Sequence, residues 1–186
     1  MTKTELAAYL EKIDRLLDTE ATLYIYGSAA CMLLDQPGRT SMDMDVAGPY
    51  SKVDQGALRL AAAKAEIPVN PADDYPGNHI EWVGPLRLCL PPPHADRSLL
   101  LWQGQHLRVM TGSIADLIAS KLIRYDRLDQ GDIRYLLKMG GISHSSVAEA
   151  AKRLPAPFAT DPVVRDNLGN LGSDMVAWGW SASADE

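Results

Sequence analysis

The order of one short stretch constrains the fold most. Thr22-Leu-Tyr-Ile-Tyr26, a β-branched and aromatic run, passes directly into Gly27-Ser28, and after fourteen further residues comes Asp43-Met44-Asp45. The first run reads as a buried strand that stops at Gly27. Ser28 to Leu34 is small, apolar and helical, Gln36-Pro37-Gly38 is a turn, and Met42 to Ala47 reads as a second strand ended by Pro49. On that strand the period of two puts Asp43 and Asp45 on one face and Met42, Met44 and Val46 on the other. Like charges side by side are unfavourable in a sheet, so a cation between the two carboxylates best explains them. Oxygen ligands of this kind suit Mg²⁺ (or Mn²⁺), which completes its shell with water and substrate phosphates. Gly27 lets a phosphate approach the backbone, the start of the helix offers N–H groups to it, and Ser28 adds a hydroxyl. Taken singly, Gly-Ser is a tight turn and Asp-x-Asp a solvated strand edge. In this order, on successive strand ends, they read as one site.

The rest of the chain divides in character. Thr2 with Glu5 forms a capping box, and Leu6, Leu10, Ile13 and Leu17 recur at helical spacing, so a first helix is predicted to about Asp18. Tyr50 to Glu66 reads as an alanine-rich helix. Ile67 to Asn70, Ile80 to Val83 and Leu86 to Leu90 are short strand candidates, Pro91-Pro-Pro93 is an irregular crossing, and Leu107 to Met110 is a last strand. From Thr111 on the signals are helical. Ser113 with Asp116 opens one helix, Asp129 with Asp132 caps a second that ends at Gly140-Gly141, and Ser146 with Glu149 caps a third. Past Pro155 the chain becomes rich in Pro, Gly and Ser, and the last residues are expected to fray. The expectation is an α+β (mixed α/β) protein with two parts: residues 1–110, a mixed β-sheet flanked by helices, and residues 111–186, a small helical bundle packing on it.

Composition excludes several classes. The charge of −6 argues against a broad basic surface, although Arg124, Arg127, Arg134 and Lys138, with Lys121 nearby, leave room for a local basic cleft. No apolar run reaches the ~20 residues of a membrane span, and no basic-then-apolar leader opens the sequence, so a cytoplasmic protein without a membrane role is expected. Cys31 and Cys89 lie in apolar runs and read as reduced, buried residues. The four histidines lack ligand spacing, and the four tryptophans read as packing residues.

Lys121 falls in line with the apolar stripe of Leu117, Ile118 and Leu122, so it must either snorkel to solvent or face a polar cleft. Asp132 lies one turn before Leu136, where helix capping competes with a place in the same cleft.

Gly-Ser followed by Asp-x-Asp resembles the signature of the DNA polymerase β-type nucleotidyltransferase superfamily. The fuller run Tyr26-Gly-Ser-Ala-Ala, then Gly38-Arg-Thr-Ser-Met-Asp-Met-Asp-Val46, resembles its minimal nucleotidyltransferases, the branch of the AbiE-system toxin (AbiEii-like proteins) and the MenT toxins. Asp116-Leu-Ile-Ala-Ser-Lys-Leu-Ile-Arg124 followed by Asp129-Gln-Gly-Asp132-Ile133 is similar to that branch's second signature. The resemblance covers about residues 23–47 and 113–137. It implies a transferase binding a nucleoside triphosphate at Gly27, Ser28 and Lys121, with a divalent metal on Asp43 and Asp45 and with Asp43, Asp45, Lys121 and Asp132 in the catalytic set. The nucleotidyl group would pass to a hydroxyl of an RNA or tRNA 3′ end or of a protein side chain, in a toxin–antitoxin or phage-defence setting with a cognate antitoxin. The sequence departs from the pattern in two places: it carries Tyr26-Gly27 where two glycines are usual, and no motif marks the third carboxylate that many superfamily members use as a general base, Glu81 in Asn78-His-Ile-Glu-Trp82 reading either as that residue or as a surface glutamate. A degenerate nucleotide-binding or partner-binding module of the same fold is the alternative.

Overall fold

The structure, a computed structural model, describes residues 1–180. Helix α1 (Lys3–Leu16), strand β1 (Ala21–Tyr24), α2 (Gly27–Leu33), β2 (Asp43–Ala47), α3 (Gln55–Lys64), β3 (His79–Val83), β4 (Leu99–Gln103) and β5 (Leu107–Thr111) come first, followed by α4 (Ile114–Ser120), α5 (Arg127–Gly140), α6 (His144–Lys152) and α7 (Pro162–Ala177). The class is α+β, as the segment order predicts. The chain divides into two compact units, residues 1–88 with 95–111, and residues 89–94 with those from 112 on. The expectation of fraying at 181–186 lies outside the described residues. Among those described, no helix is long and apolar enough to cross a membrane.

In the α/β unit, β1 pairs in parallel with β5, and β5 in antiparallel with β4, while β2 pairs in parallel with β3. The two sheets meet where Ile25 bridges Val46 and the Tyr26 N–H donates to the Asp45 carbonyl at 3.1 Å. The β2–α3–β3 crossover sets the register Asp43 to His79 and Asp45 to Glu81. Helix α1 opens on the predicted Thr2–Glu5 capping box and buries Leu6, Leu10 and Ile13 completely. Each such side chain contributes roughly 1.5–3 kcal/mol by leaving water. Asp14, on the same helix, is buried too. Its carboxylate accepts the backbone N–H groups of Gln105, His106 and Leu107 at 3.0, 2.8 and 2.7 Å, fixing the β4–β5 turn. Burial pushes its pKa up, but the three backbone donors outweigh this and hold it below the ordinary value.

The helical unit is built on caps. Ser113 and Asp116 form the predicted capping box of α4. Gly141, left-handed at φ 60°, closes α5. Ile118, Leu122, Ile133, Leu136, Val147 and Leu171 are fully buried. Both Cys31 and Cys89 are buried thiols, and burial next to Asp161 pushes the Cys89 pKa up to about 12.

Several boundaries differ from expectation for definite reasons. The predicted 50–66 helix begins only at Gln55, because Lys52 exchanges two 2.8 Å backbone hydrogen bonds with Thr22 and Asp54 supplies the cap. Residues 67–70 contribute a lone bridge, Val69 to Ile80, and 86–90 form no strand because the chain turns from Gly84 to Arg87. Strand β4 was not foreseen: Leu99–Gln103 lacks alternation and carries a bulge between Leu100 and Trp102. Asp126, not Asp129 or Asp132, caps α5, and Ser143, not Ser146, caps α6. Helix α7 was hidden by its glycines, yet Asp161 at the N-cap with Pro162 behind it is a good helix start.

Candidate active site

The site of the α/β unit lies where β1, β2 and β3 end or begin. Gly27 has φ 65°, a left-handed conformation that L side chains rarely adopt, and a Cβ placed there would come within 2.5 Å of Asp45 Oδ2. Two facts thus require glycine: the backbone turn into α2 and the close approach of the Asp45 carboxylate. Tyr26 occupies the N-cap position and makes no side-chain cap bond. Ser28 accepts a hydrogen bond from the Arg39 guanidinium, which also donates to the Thr40 carbonyl at 2.9 Å.

On β2 the alternation follows the predicted pattern from Asp43 on. Met44 and Val46 are fully buried, while Asp43 and Asp45 are half-buried on the other face. Met42 falls outside the strand and is 56% exposed, so it does not share the buried face. Ser41 donates to Asp43 Oδ1 at 2.6 Å. The parallel register with β3 sets Glu81 beside Asp45, and one oxygen from each of Asp43, Asp45 and Glu81 lies within 4.8 Å of the others. Arg87 pairs with Glu81 at 2.5 Å. Three convergent, half-buried carboxylates repel one another unless a cation shares them, and a divalent ion with oxygen ligands fits this donor set. Next to the triad, a polar pocket of about 390 Å³ is lined by Asn70, Asp73, Tyr75, His79, Glu81 and Arg87 among others. Its size suits a small ligand or one unit of a larger one.

The sequence profile of a family described as "Nucleotidyltransferase of unknown function (DUF6036)" matches residues 4–152. The chain belongs to this family. Nucleotidyltransferases generally take a nucleoside triphosphate and a divalent metal, and the acidic triad fits that requirement chemically. No curated protein and no solved structure matches the chain significantly.

Within the α/β unit, then, the structure of this nucleotidyltransferase-family chain gathers Gly27, Ser28, Asp43 and Asp45. It adds Glu81, which sequence reading left open, and Arg39, Ser41 and Arg87, which it did not single out. Arg39 and Ser41 lie in the stretch that carries the resemblance, but nothing in their spacing shows that they reach Ser28 and Asp43. Only the register of β2 on β3 shows that Glu81 stands opposite Asp45.

In the helical unit Lys121 and Asp132 do meet. The Lys121 ammonium is 5% exposed and donates to Asp132 Oδ2 at 2.7 Å and to Asp129 Oδ1 at 3.1 Å. Arg124 grips Asp129 with two further bonds of 2.8 and 3.0 Å. Lys121 therefore does not snorkel, and Asp132 does not cap. Burial pushes the Asp129 pKa up, but the Arg124 and Lys121 contacts outweigh it and hold it below the ordinary value.

Proposed function

We propose that the protein is an active, metal-dependent nucleotidyltransferase that moves a nucleoside monophosphate from a nucleoside triphosphate to a hydroxyl acceptor. What carries this reading is the convergence of Asp43, Asp45 and Glu81 beside a left-handed glycine and a serine. A degenerate binding module has no need to keep three repelling carboxylates together at such a turn.

In this reading Asp43, Asp45 and Glu81 hold Mg²⁺ or Mn²⁺, which supplies charge neutralisation for the phosphates and the departing pyrophosphate. The Gly27 backbone, the Ser28 hydroxyl and the Arg39 guanidinium cradle the phosphates, and Arg39 brings a delocalised charge suited to them. Ser41 keeps Asp43 oriented through its 2.6 Å hydrogen bond. Glu81 borders the polar pocket, so a hydroxyl docked there meets a carboxylate able to accept its proton. Lys121 and Asp132, which the resemblance puts in the catalytic set, bind each other inside the helical unit, and this reading gives them no contact with the nucleotide. The resemblance to the AbiE-system and MenT toxins supports an RNA or tRNA 3′ end, or a protein side chain, as acceptor, and a cognate antitoxin as partner.

The test is a melt of the protein with each of the four nucleoside triphosphates, with and without Mg²⁺ or Mn²⁺, followed by a pyrophosphate-release assay with RNA and protein acceptors. A metal-dependent rise in Tm with at least one nucleotide, together with pyrophosphate release, is expected. Absence of both under all conditions would refute the reading.

A further inference from the structure

A second pocket lies in the helical unit and has a different chemistry. It measures about 400 Å³ and is lined by Arg134, Tyr135, Leu137, Lys138, Trp178 and Trp180. Three aromatic rings and two cations line it with no carboxylate among the described residues, in a chain whose net charge is −6.

Local structure explains how it is formed. Arg134 and Lys138 stand one turn apart on α5, both exposed, while Leu137 is buried behind them. Helix α7 ends at Trp178, and Gly179 is left-handed at φ 74°. The Trp180 N–H then donates back to the Met175 carbonyl at 2.8 Å and the Gly179 N–H to that of Val176 at 3.0 Å. This is the Schellman pattern, and it folds the second indole back toward the helix that ends in the first. The Trp180 Nε1–H donates to the Ile142 carbonyl at 3.1 Å, which fixes that ring. The Arg134 guanidinium lies 5.3 Å from the centre of the Trp178 ring, a cation–π distance. The two indoles, read from sequence as packing residues, are only half-buried and line an opening.

We propose that this pocket binds an unstacked base of a single-stranded nucleic acid together with its adjoining phosphate. The rings offer faces on which any base stacks, and Arg134 and Lys138 offer charge to the phosphate. An aliphatic ligand leaves both cations unused, and an acidic peptide leaves the rings unused. A duplex keeps its bases stacked away from such a pocket.

The probe is a 5′-fluorescein-labelled hexauridylate, titrated by anisotropy into the full chain at low salt without nucleotide or divalent metal. Trp178→Ala should weaken binding by about tenfold, the stacking contribution of one base. Trp178→Phe should recover much of the loss, and it still reads the site if the alanine variant unfolds. Lys138→Gln should flatten the dependence of log affinity on log salt by about one phosphate contact. Lys64→Gln, an exposed position on α3, should bind like the parent, and because the titration needs neither nucleotide nor metal, failure of the transferase reading leaves this result standing. Parent-like affinity in both Trp178→Ala and Lys138→Gln overturns the proposal. So does equal binding of a duplex, or of a glutamate peptide of matched charge. Binding seen only after Asp185→Asn with Glu186→Gln would make the chain's own acidic tail the occupant and would overturn it too.

Discussion

Asp43, Asp45 and Glu81 in the α/β unit bring carboxylate oxygens within 4.8 Å of one another and stay half-buried. Asp129 and Asp132 in the helical unit are 2% and 1% exposed and are gripped by Lys121 and Arg124. The sequence writes both clusters in similar terms, Asp-x-Asp and Asp-x-x-Asp, and folding gives them different degrees of burial. In the helical unit the compensating charge is supplied by the chain, from the buried Lys121 and the more exposed Arg124. In the α/β unit Ser41 donates to Asp43 and the exposed Arg87 pairs with Glu81, while oxygens of all three carboxylates converge, which suits them to an ion brought from outside. The buried ion-paired cluster should matter for stability, and the convergent half-buried one for ligand binding.

The largest expected effect comes from breaking the buried cluster. Lys121→Met leaves Asp132 and part of Asp129 buried without their cation, which costs about 3–5 kcal/mol. Urea unfolding at pH 7 measures it, and a loss under 1 kcal/mol would show that water or movement replaces the ammonium. The same cluster fixes a pH dependence. The Asp129 pKa is lowered in the folded chain, so its contribution is present above the unfolded value of about 3.9 and is lost as pH falls through the folded value. Stability should drop on acidification below about pH 4, where the unfolded chain binds the extra proton. The drop should be shallower in Lys121→Met, because Lys121 is one cause of the lowering.

The open cluster should respond the other way. Asp43→Ala should reduce nucleotidyl transfer at least ten- to a hundredfold through loss of a metal ligand. Its Tm without metal should hold or rise slightly, because one repelling charge is gone. Unchanged turnover would remove Asp43 from the site, and a large loss of stability would make the triad a structural cluster like the other.

How much of this was legible follows from what each feature depends on. Gly27, Ser28, Asp43 and Asp45 are local: a strand end, a turn and a period of two fix their relations within a short stretch. The capping boxes at Thr2–Glu5 and Ser113–Asp116 are local in the same way. Glu81 depends on register across a crossover of some thirty-five residues, and no pattern near it reports which residue of β2 it faces. Asp14 reads as one polar position on an amphipathic helix, yet it caps a distant turn. Lys121 was visible as an anomaly on an apolar stripe, but its partners lie on the next helix. The tryptophans at 178 and 180 looked like packing residues because the glycines of α7 concealed the helix that presents them.

A smaller effect is expected at Gly27, where the open cluster meets the backbone. Gly27→Ala forces an L-residue into the left-handed region, at about 1–2 kcal/mol, and pushes a methyl group toward Asp45 Oδ2. Stability should fall by that amount, and metal affinity should fall with it because Asp45 must move. Wild-type metal binding in this variant would separate Gly27 from the cluster and leave it only a turn residue.

The smallest effect tests the exposed ion pair. Arg87 is 74% exposed and pairs with Glu81, so it contrasts directly with Lys121. An exposed pair is worth roughly 0.2–1 kcal/mol, and Arg87→Gln should therefore leave the urea midpoint nearly unchanged. What should change is the competition for Glu81. With the guanidinium gone, Mn²⁺ meets one positive charge fewer and a carboxylate no longer held by Arg87, so its affinity should rise, by no more than about fivefold. Titration of Mn²⁺ by paramagnetic relaxation, on Arg87→Gln and Glu81→Gln side by side, reads this directly. Tighter binding in the first and weaker in the second would establish Glu81 as a ligand shared between the protein's own cation and the metal. Equal affinity in all three proteins would reduce the triad to the aspartate pair on β2.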